Sequence, residues 1–208
     1  MIAATTMKHK MGAVLMSDAA QKINFYLDGL HVDGSGLSYV ALALLSKATF
    51  NSGFNVRVGG MGAGAEATYQ PKTNTFTFPS VNYGDTPFQR MTMLHECVHA
   101  LRDAYGVHLN TSLGPVKTFS LSDEAAAYLA GAIFYMYDNN TAVRPAFAQN
   151  VAVYGAAHDL AVKVFNSAGF AVNPTDAKIL KDAIVANPAY SGIKNNPKQT
   201  YANNGVRL

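Results

Sequence analysis

One cysteine, Cys97, leaves this chain without any internal disulfide framework, so packing or a bound group has to hold it together. Tryptophan is absent, and charged residues make up only 14% of the 208 positions against 49% apolar. That balance excludes a disordered chain. The formal net charge is +3 and the basic residues are scattered, so no electrostatic footprint for nucleic acid is present. Long apolar runs are lacking too. Leu37 to Leu45 falls well short of the ~18 apolar residues that a membrane span needs. Met11 to Met16, after Lys8 and Lys10, is too short for a secretory core and runs at once into Asp18, so it reads as the start of a helix. Localisation stays open: a cytoplasmic protein, one exported without a signal, and a mature fragment of a longer chain all read this way. There is no internal repeat, linker or low-complexity block, which argues for one domain across 1–208 with a polar, loosely held tail from about 189 to 208.

The periodicity describes an α+β fold, mainly helical, with a small sheet. Residues 12–28 carry apolar positions at helical spacing, ended by Gly29, and His31 to Gly36 reads as a loop. A second helix is expected over Leu37 to Phe50, stopped by Asn51-Ser52-Gly53. Asn55 to Val58 alternates as a strand does, and Gly59 to Gly64 suits a flexible rim or tight bend; it lacks the Gly-Lys-Ser/Thr of a phosphate loop. Ala67 to Gln70 and Thr75 to Phe78 flank a polar turn and form a hairpin. Thr86-Pro87-Phe88-Gln89 is a capping box that opens a helix to about Tyr105, with Gly106 past its end. Further helices are expected from Ser120 to about Tyr137, over 146–168 and over 175–186, the last started by Asn173-Pro174.

The chemistry is concentrated in His95-Glu96-Cys97-Val98-His99. Spacing of i and i+4 puts both imidazoles on one helical face, where they can share a metal ion of zinc size, and the intervening Glu96 can accept a proton from a water held there. Met91, Leu94, Val98, Leu101 and Tyr105 form a stripe beside the two rings, with Met93, Cys97, Ala100 and Ala104 opposite. A helix apolar on nearly every side is buried. Two histidines and a glutamate buried there need partners, since an unpaired polar group costs on the order of 2–7 kcal/mol. Cys97 points away from His95 and reads as a small core residue.

A catalytic metal site takes a third protein ligand and keeps one position open. The extended pattern with a third histidine is absent, because Arg102 and Tyr105 stand where its Gly and His would be. Glu124, in the first turn of the next helix, is the leading third ligand; complementing that helix's dipole is its alternative role. Asp103 is the nearest rival and can instead orient an imidazole from behind. Asp123 and His108 are weaker rivals.

Thr92 to Leu101 together with Asp123 to Ala132 resembles the zincin metallopeptidases of the gluzincin kind, which carry H-E-x-x-H on one helix and a Glu at the start of the next. Glu124-Ala125-Ala126-Ala127-Tyr128 is similar to that second helix, and the resemblance covers roughly residues 65–138. It implies a zinc-dependent peptidase with His95, His99 and Glu124 on the metal and Glu96 as general base, and it implies that the hairpin ahead of the helix offers an edge strand over the metal. Either hairpin strand could pair with an extended peptide. Tyr128, one turn beyond Glu124, is a candidate to stabilise the oxyanion; Tyr135 and His158 are further candidates, and packing is the alternative for each. The expected partner is a peptide or protein substrate, and a delivery or inhibitor partner is left open. Two other readings stand beside this one: a zinc hydrolase of a non-peptide substrate, and a binding domain that keeps the helix without turnover.

Overall fold

The computed structural model describes residues 2–45, 53–61, 66–108, 117–166, 171–196, 198 and 200–202, the side chains of 105–108, 117–119, 166, 201 and 202 excepted. The fold is α+β and mainly helical. In chain order come α1 (Ile2–Leu15), α2 (Asp18–Gln21), β1 (Asn24–Leu27), β2 (Leu30–Asp33), α3 (Gly34–Leu45), β3 (Asn55–Val58), β4 (Thr68–Gln70), β5 (Thr75–Phe78), α4 (Pro87–His108), β6 (Lys117–Phe119), α5 (Ser120–Asp138), α6 (Ala146–Asn150), α7 (Ala152–Asn166), α8 (Pro174–Ala186), α9 (Ser191–Asn195) and β7 (Thr200–Ala202).

The first forty residues differ most from the expectation. The helix begins at Ile2, ahead of the Met11 to Met16 run, and stops at Leu15. Asn24–Leu27 and Leu30–Asp33 then form an antiparallel hairpin where helix and loop were read. Asp28 and Gly29 both take positive φ, 51° and 78°, the twist that a two-residue hairpin turn requires. The third helix starts at Gly34, earlier than Leu37, because Asp33 caps it: its Oδ1 accepts from the Gly36 N–H at 2.7 Å. The proposed stop at Asn51 and Ser52 lies outside the described residues.

The expected strand and hairpin form one sheet in the order β3-β5-β4, with β3 parallel and β4 antiparallel to β5. The central position of β5 removes it as a peptide-pairing edge and leaves that role to β4. The turn between them is a 3₁₀ turn over Pro71–Thr73, closed by Asn74 at φ 48°. Phe54, Tyr69, Phe76 and Phe78 pack ring to ring at 4.7–6.4 Å, which seats the sheet on the core.

The active helix α4 starts with the capping box: Gln89 N–H donates to Thr86 Oγ1 at 3.2 Å, and Thr86 N–H donates to Gln89 Oε1 at 3.3 Å. It runs through Gly106 to His108, beyond the expected stop. Met91, Leu94, Val98 and Leu101 of one apolar stripe are buried, as are Met93, Cys97, Ala100 and Ala104 of the other. It packs along α5, which packs in turn on α7 and α8. Small residues make the α4–α5 approach close. A Cβ on Gly131 would lie 3.1 Å from Met91 Cγ, so the two helices meet where α5 carries Ala127, Ala130 and Gly131.

The long helix expected over 146–168 is two helices, broken at Val151, whose φ −124° and ψ 111° are extended. Asn173 caps α8 as read, accepting from the Thr175 N–H at 2.8 Å. The last segment departs from a loosely held tail. Asn187 caps a 3₁₀ turn over Pro188–Tyr190, α9 follows, and β7 pairs with β6, the strand leading into α5. No described helix is long and apolar enough to cross a membrane.

Candidate metal centre

The i, i+4 spacing on α4 brings His95 Nε2 and His99 Nε2 to 3.2 Å. Glu124 arrives from α5 with its oxygens 3.5 Å from His95 Nε2 and 3.6 Å from His99 Nε2. Bonds of ~2.0–2.1 Å in a tetrahedral site put neighbouring ligand atoms roughly 3.3–3.4 Å apart. The three donors therefore already stand at ligand spacing around one small cation. Their side chains are 12%, 11% and 20% exposed, and Glu124 Oε2 is buried without a hydrogen-bond partner. A buried carboxylate oxygen facing two ring nitrogens is the arrangement a metal ion satisfies. Glu124 stands in the second turn of α5, since the helix begins at Ser120; the acid of the first turn is Asp123. The dipole role falls to that neighbour.

Asp123 has a second task. Its Oδ2 accepts a short hydrogen bond from His99 Nδ1–H. This fixes the ring and leaves Nε2 to face Glu124 and His95. Arg102 Nε stands 4.0 Å from the other oxygen of Asp123. Asp103, the rival third ligand, is engaged elsewhere on α4. It is fully buried, lies outside the three-donor cluster and accepts from the Tyr69 hydroxyl at 2.8 Å. The side chain of His108 lies outside the described residues.

Burial pushes the His99 imidazole down, but the Asp123 and Glu124 carboxylates more than reverse this and hold it at about 10. Burial likewise raises Glu124, and the charge of His99 with the nearness of His95 and Tyr190 brings it down to about 2. The neighbouring carboxylates thus favour the charged form of His99, and the imidazoles the ionised form of Glu124. The sign follows. Stability that the carboxylates lend to charged His99 is complete below the unfolded value of ~6.5 and disappears as pH rises through about 10. Metal binding at pH 7.5 is thus expected to release close to one proton, read by calorimetry in buffers of different ionisation enthalpy. Asp123→Asn should reduce that release and weaken metal affinity about 10–100-fold. Unchanged proton release in the variant would remove Asp123 from this role.

Glu96 faces the same space. Its Oε1 is 4.0 Å from His95 Nε2, and its Oε2 accepts the Tyr69 backbone N–H at 2.6 Å. Burial holds its carboxyl above the usual range, against the pull of His95 and His99. A carboxyl raised in this way holds a proton more readily than a solvated one.

Tyr128 comes to the centre as the spacing suggests, with its ring edge-on to His95 at 4.6 Å. Its hydroxyl meets that of Tyr190 at 2.8 Å, and Tyr190 lines the same cleft as Glu124. Tyr190, placed by sequence in a loose tail, is therefore part of the centre. The signal for it was Asn187-Pro188, the same Asn-Pro start as at Asn173. Tyr154, also missed, donates to Glu66 Oε2 at 3.2 Å on the rim. Tyr135 packs against Phe147 at 5.4 Å, and His158 lines a separate small cavity behind Tyr128. Cys97 is 1% exposed in the core.

These groups open into a cleft of about 1380 Å³ lined by the β4 edge, His95, Glu96, Glu124, Tyr128, Tyr154 and Tyr190. Comparison with models of known protein families, with curated proteins and with solved structures finds no match to this chain.

Proposed function

We propose that the chain is a zinc-dependent peptidase of the zincin kind. The observation that carries this reading is the spacing of His95, His99 and Glu124 around one point, with Glu96 turned into the same space. When bound, zinc supplies Lewis acidity, lowering the pKa of a coordinated water towards about 7 and polarising a carbonyl oxygen. Glu96 Oε1 takes the proton from the attacking water, and Glu96 later delivers it to the leaving nitrogen. Asp123 keeps His99 in the ligating tautomer. Tyr128 and Tyr190 present the hydroxyls nearest the metal ligands and can donate to the charged carbonyl oxygen.

The β4 edge favours a peptide over other electrophiles. Along it residues 66–70 all line the cleft, with Glu66, Thr68 and Gln70 exposed and Ala67 and Tyr69 buried between them. Its outward N–H groups are engaged within the protein, Ala67 with Tyr83 Oη at 3.4 Å and Tyr69 with Glu96. In an antiparallel strand, the C=O of a residue points the same way as its N–H. A peptide added at this edge would therefore be held through its own N–H groups donating to those carbonyls.

The purified chain is expected to cleave a generic unfolded protein, to lose all turnover after chelation and to recover it with zinc. Cleavage that survives complete metal removal would overturn the zinc reading. Activity confined to small esters would overturn the peptide reading.

A further inference from the structure

Tyr69 touches α4 at two points. Its backbone N–H holds Glu96 Oε2 at 2.6 Å, and its hydroxyl donates to Asp103 Oδ2 at 2.8 Å. Glu96 and Asp103 stand seven positions apart on α4, about two turns, on one face. One residue of the edge strand thus bridges two acids of the active helix. Asp103 is 0% exposed and Tyr69 9%, so the contact is made away from solvent. The same hydroxyl lies 3.2 Å from Asn74 Oδ1, at the left-handed residue that closes the β4–β5 turn. Strand, turn and helix are tied at a single oxygen atom.

The side-chain contact does something the main-chain contact cannot do alone. A hydrogen bond from a backbone N–H fixes the Glu96 carboxylate only if β4 is itself fixed along α4. β4 is a three-residue edge strand held on one side by β5. A hydrogen bond between two buried side chains, one of them acidic, sets that distance well, because leaving either group unpaired inside the protein is costly.

Resting on the peptidase reading above, we propose that Tyr69 and Asp103 are positioning residues for the general base: their side-chain contact locks the edge strand to α4 so that Glu96 Oε2 is held and Oε1 is aimed at the water. Neither touches the reacting atoms. The expectation is a defect in kcat with little change in KM or metal content, since displacing a base by about 1 Å can cost up to about 100-fold.

Tyr69→Phe removes one oxygen and leaves the backbone N–H in place. It is expected to bind one zinc per chain and to lower kcat at least about tenfold, with KM within about twofold. Asp103→Asn, which keeps an acceptor oxygen, should retain most of the activity that Asp103→Ala loses, whereas Asp103→Leu, which fills similar space without an acceptor, should not. In a Glu96→Gln background, Tyr69→Phe should lower the residual rate no further. Amide exchange at position 69, followed by NMR in full-length protein, supplies a readout free of turnover: it should quicken at least about tenfold in Tyr69→Phe, while amides in the α4–α5 core keep their rates. Wild-type exchange at position 69 in Tyr69→Phe overturns the clasp whether or not the protein is a peptidase. Quickened exchange with wild-type kcat overturns the role in positioning. A wild-type protein that binds zinc and cleaves nothing overturns the peptidase reading, and the exchange experiment still decides the clasp.

Discussion

Glu96→Gln keeps one metal ion per chain and lowers kcat by about 10²–10⁴. Glutamine has nearly the shape of glutamate, and its carbonyl oxygen can still accept the Tyr69 N–H. What it cannot do is take a proton. His95, His99 and Glu124 are untouched, so elemental analysis should show the metal unchanged while peptide turnover collapses. The size of the effect reflects how completely the proton path depends on one group: Asp123 is committed to His99 Nδ1, and Glu124 stands at ligand distance from both rings. Turnover of a generic unfolded protein at the wild-type rate would show that Glu96 is not the base. Loss of the metal would move Glu96 from proton transfer to ligation.

Glu124→Ala lowers metal affinity about 100-fold, whereas Asp103→Ala leaves it nearly unchanged. Binding energies of structural zinc sites, on the order of 10–16 kcal/mol over four ligands, allot roughly 3 kcal/mol to each, or about two orders of magnitude. Glu124 merits that full value because both its oxygens face ring nitrogens. Asp103 is spent on the Tyr69 hydroxyl and does not join the three-donor cluster. Competition titrations with a chromogenic chelator measure both variants. If Asp103→Ala shows the larger loss, the third-ligand role passes from Glu124 to Asp103.

The parts of this molecule that could be read from sequence are those whose physics is local. The i, i+4 histidines need only helical periodicity, and the capping box at Thr86 and Gln89 needs only four residues. The β4–β5 hairpin announces itself by alternation about a polar turn. The parts that escaped depend on competition or on distance. Asp28-Gly29 is a strong hairpin signal, but it lies at the end of a run with helical spacing, and the two signals compete. Asp123 and Glu124 are adjacent acids at a helix start. Glu124 is legible as the third donor from its place near the start of the next helix, but that its neighbour Asp123 meets His99 Nδ1 depends on how α4 and α5 pack, which no local pattern records. Tyr190 belongs to a stretch rich in Asn, Pro and Lys, and composition alone gives no hint that a tyrosine there meets Tyr128, sixty-two positions back.

The joining of β7 to β6 and of Tyr190 to Tyr128 has a consequence in time. Residues 95–124 are made well before residue 190, so a chain emerging from the ribosome can gather its histidines and carboxylates while the hydroxyl pair is still incomplete. Full competence awaits the arrival of the last strand, whose long-range closure is the slower kind of folding step. On the peptidase reading proposed above, that order of assembly keeps the site incomplete during synthesis, when unfolded polypeptide, its own included, lies closest at hand.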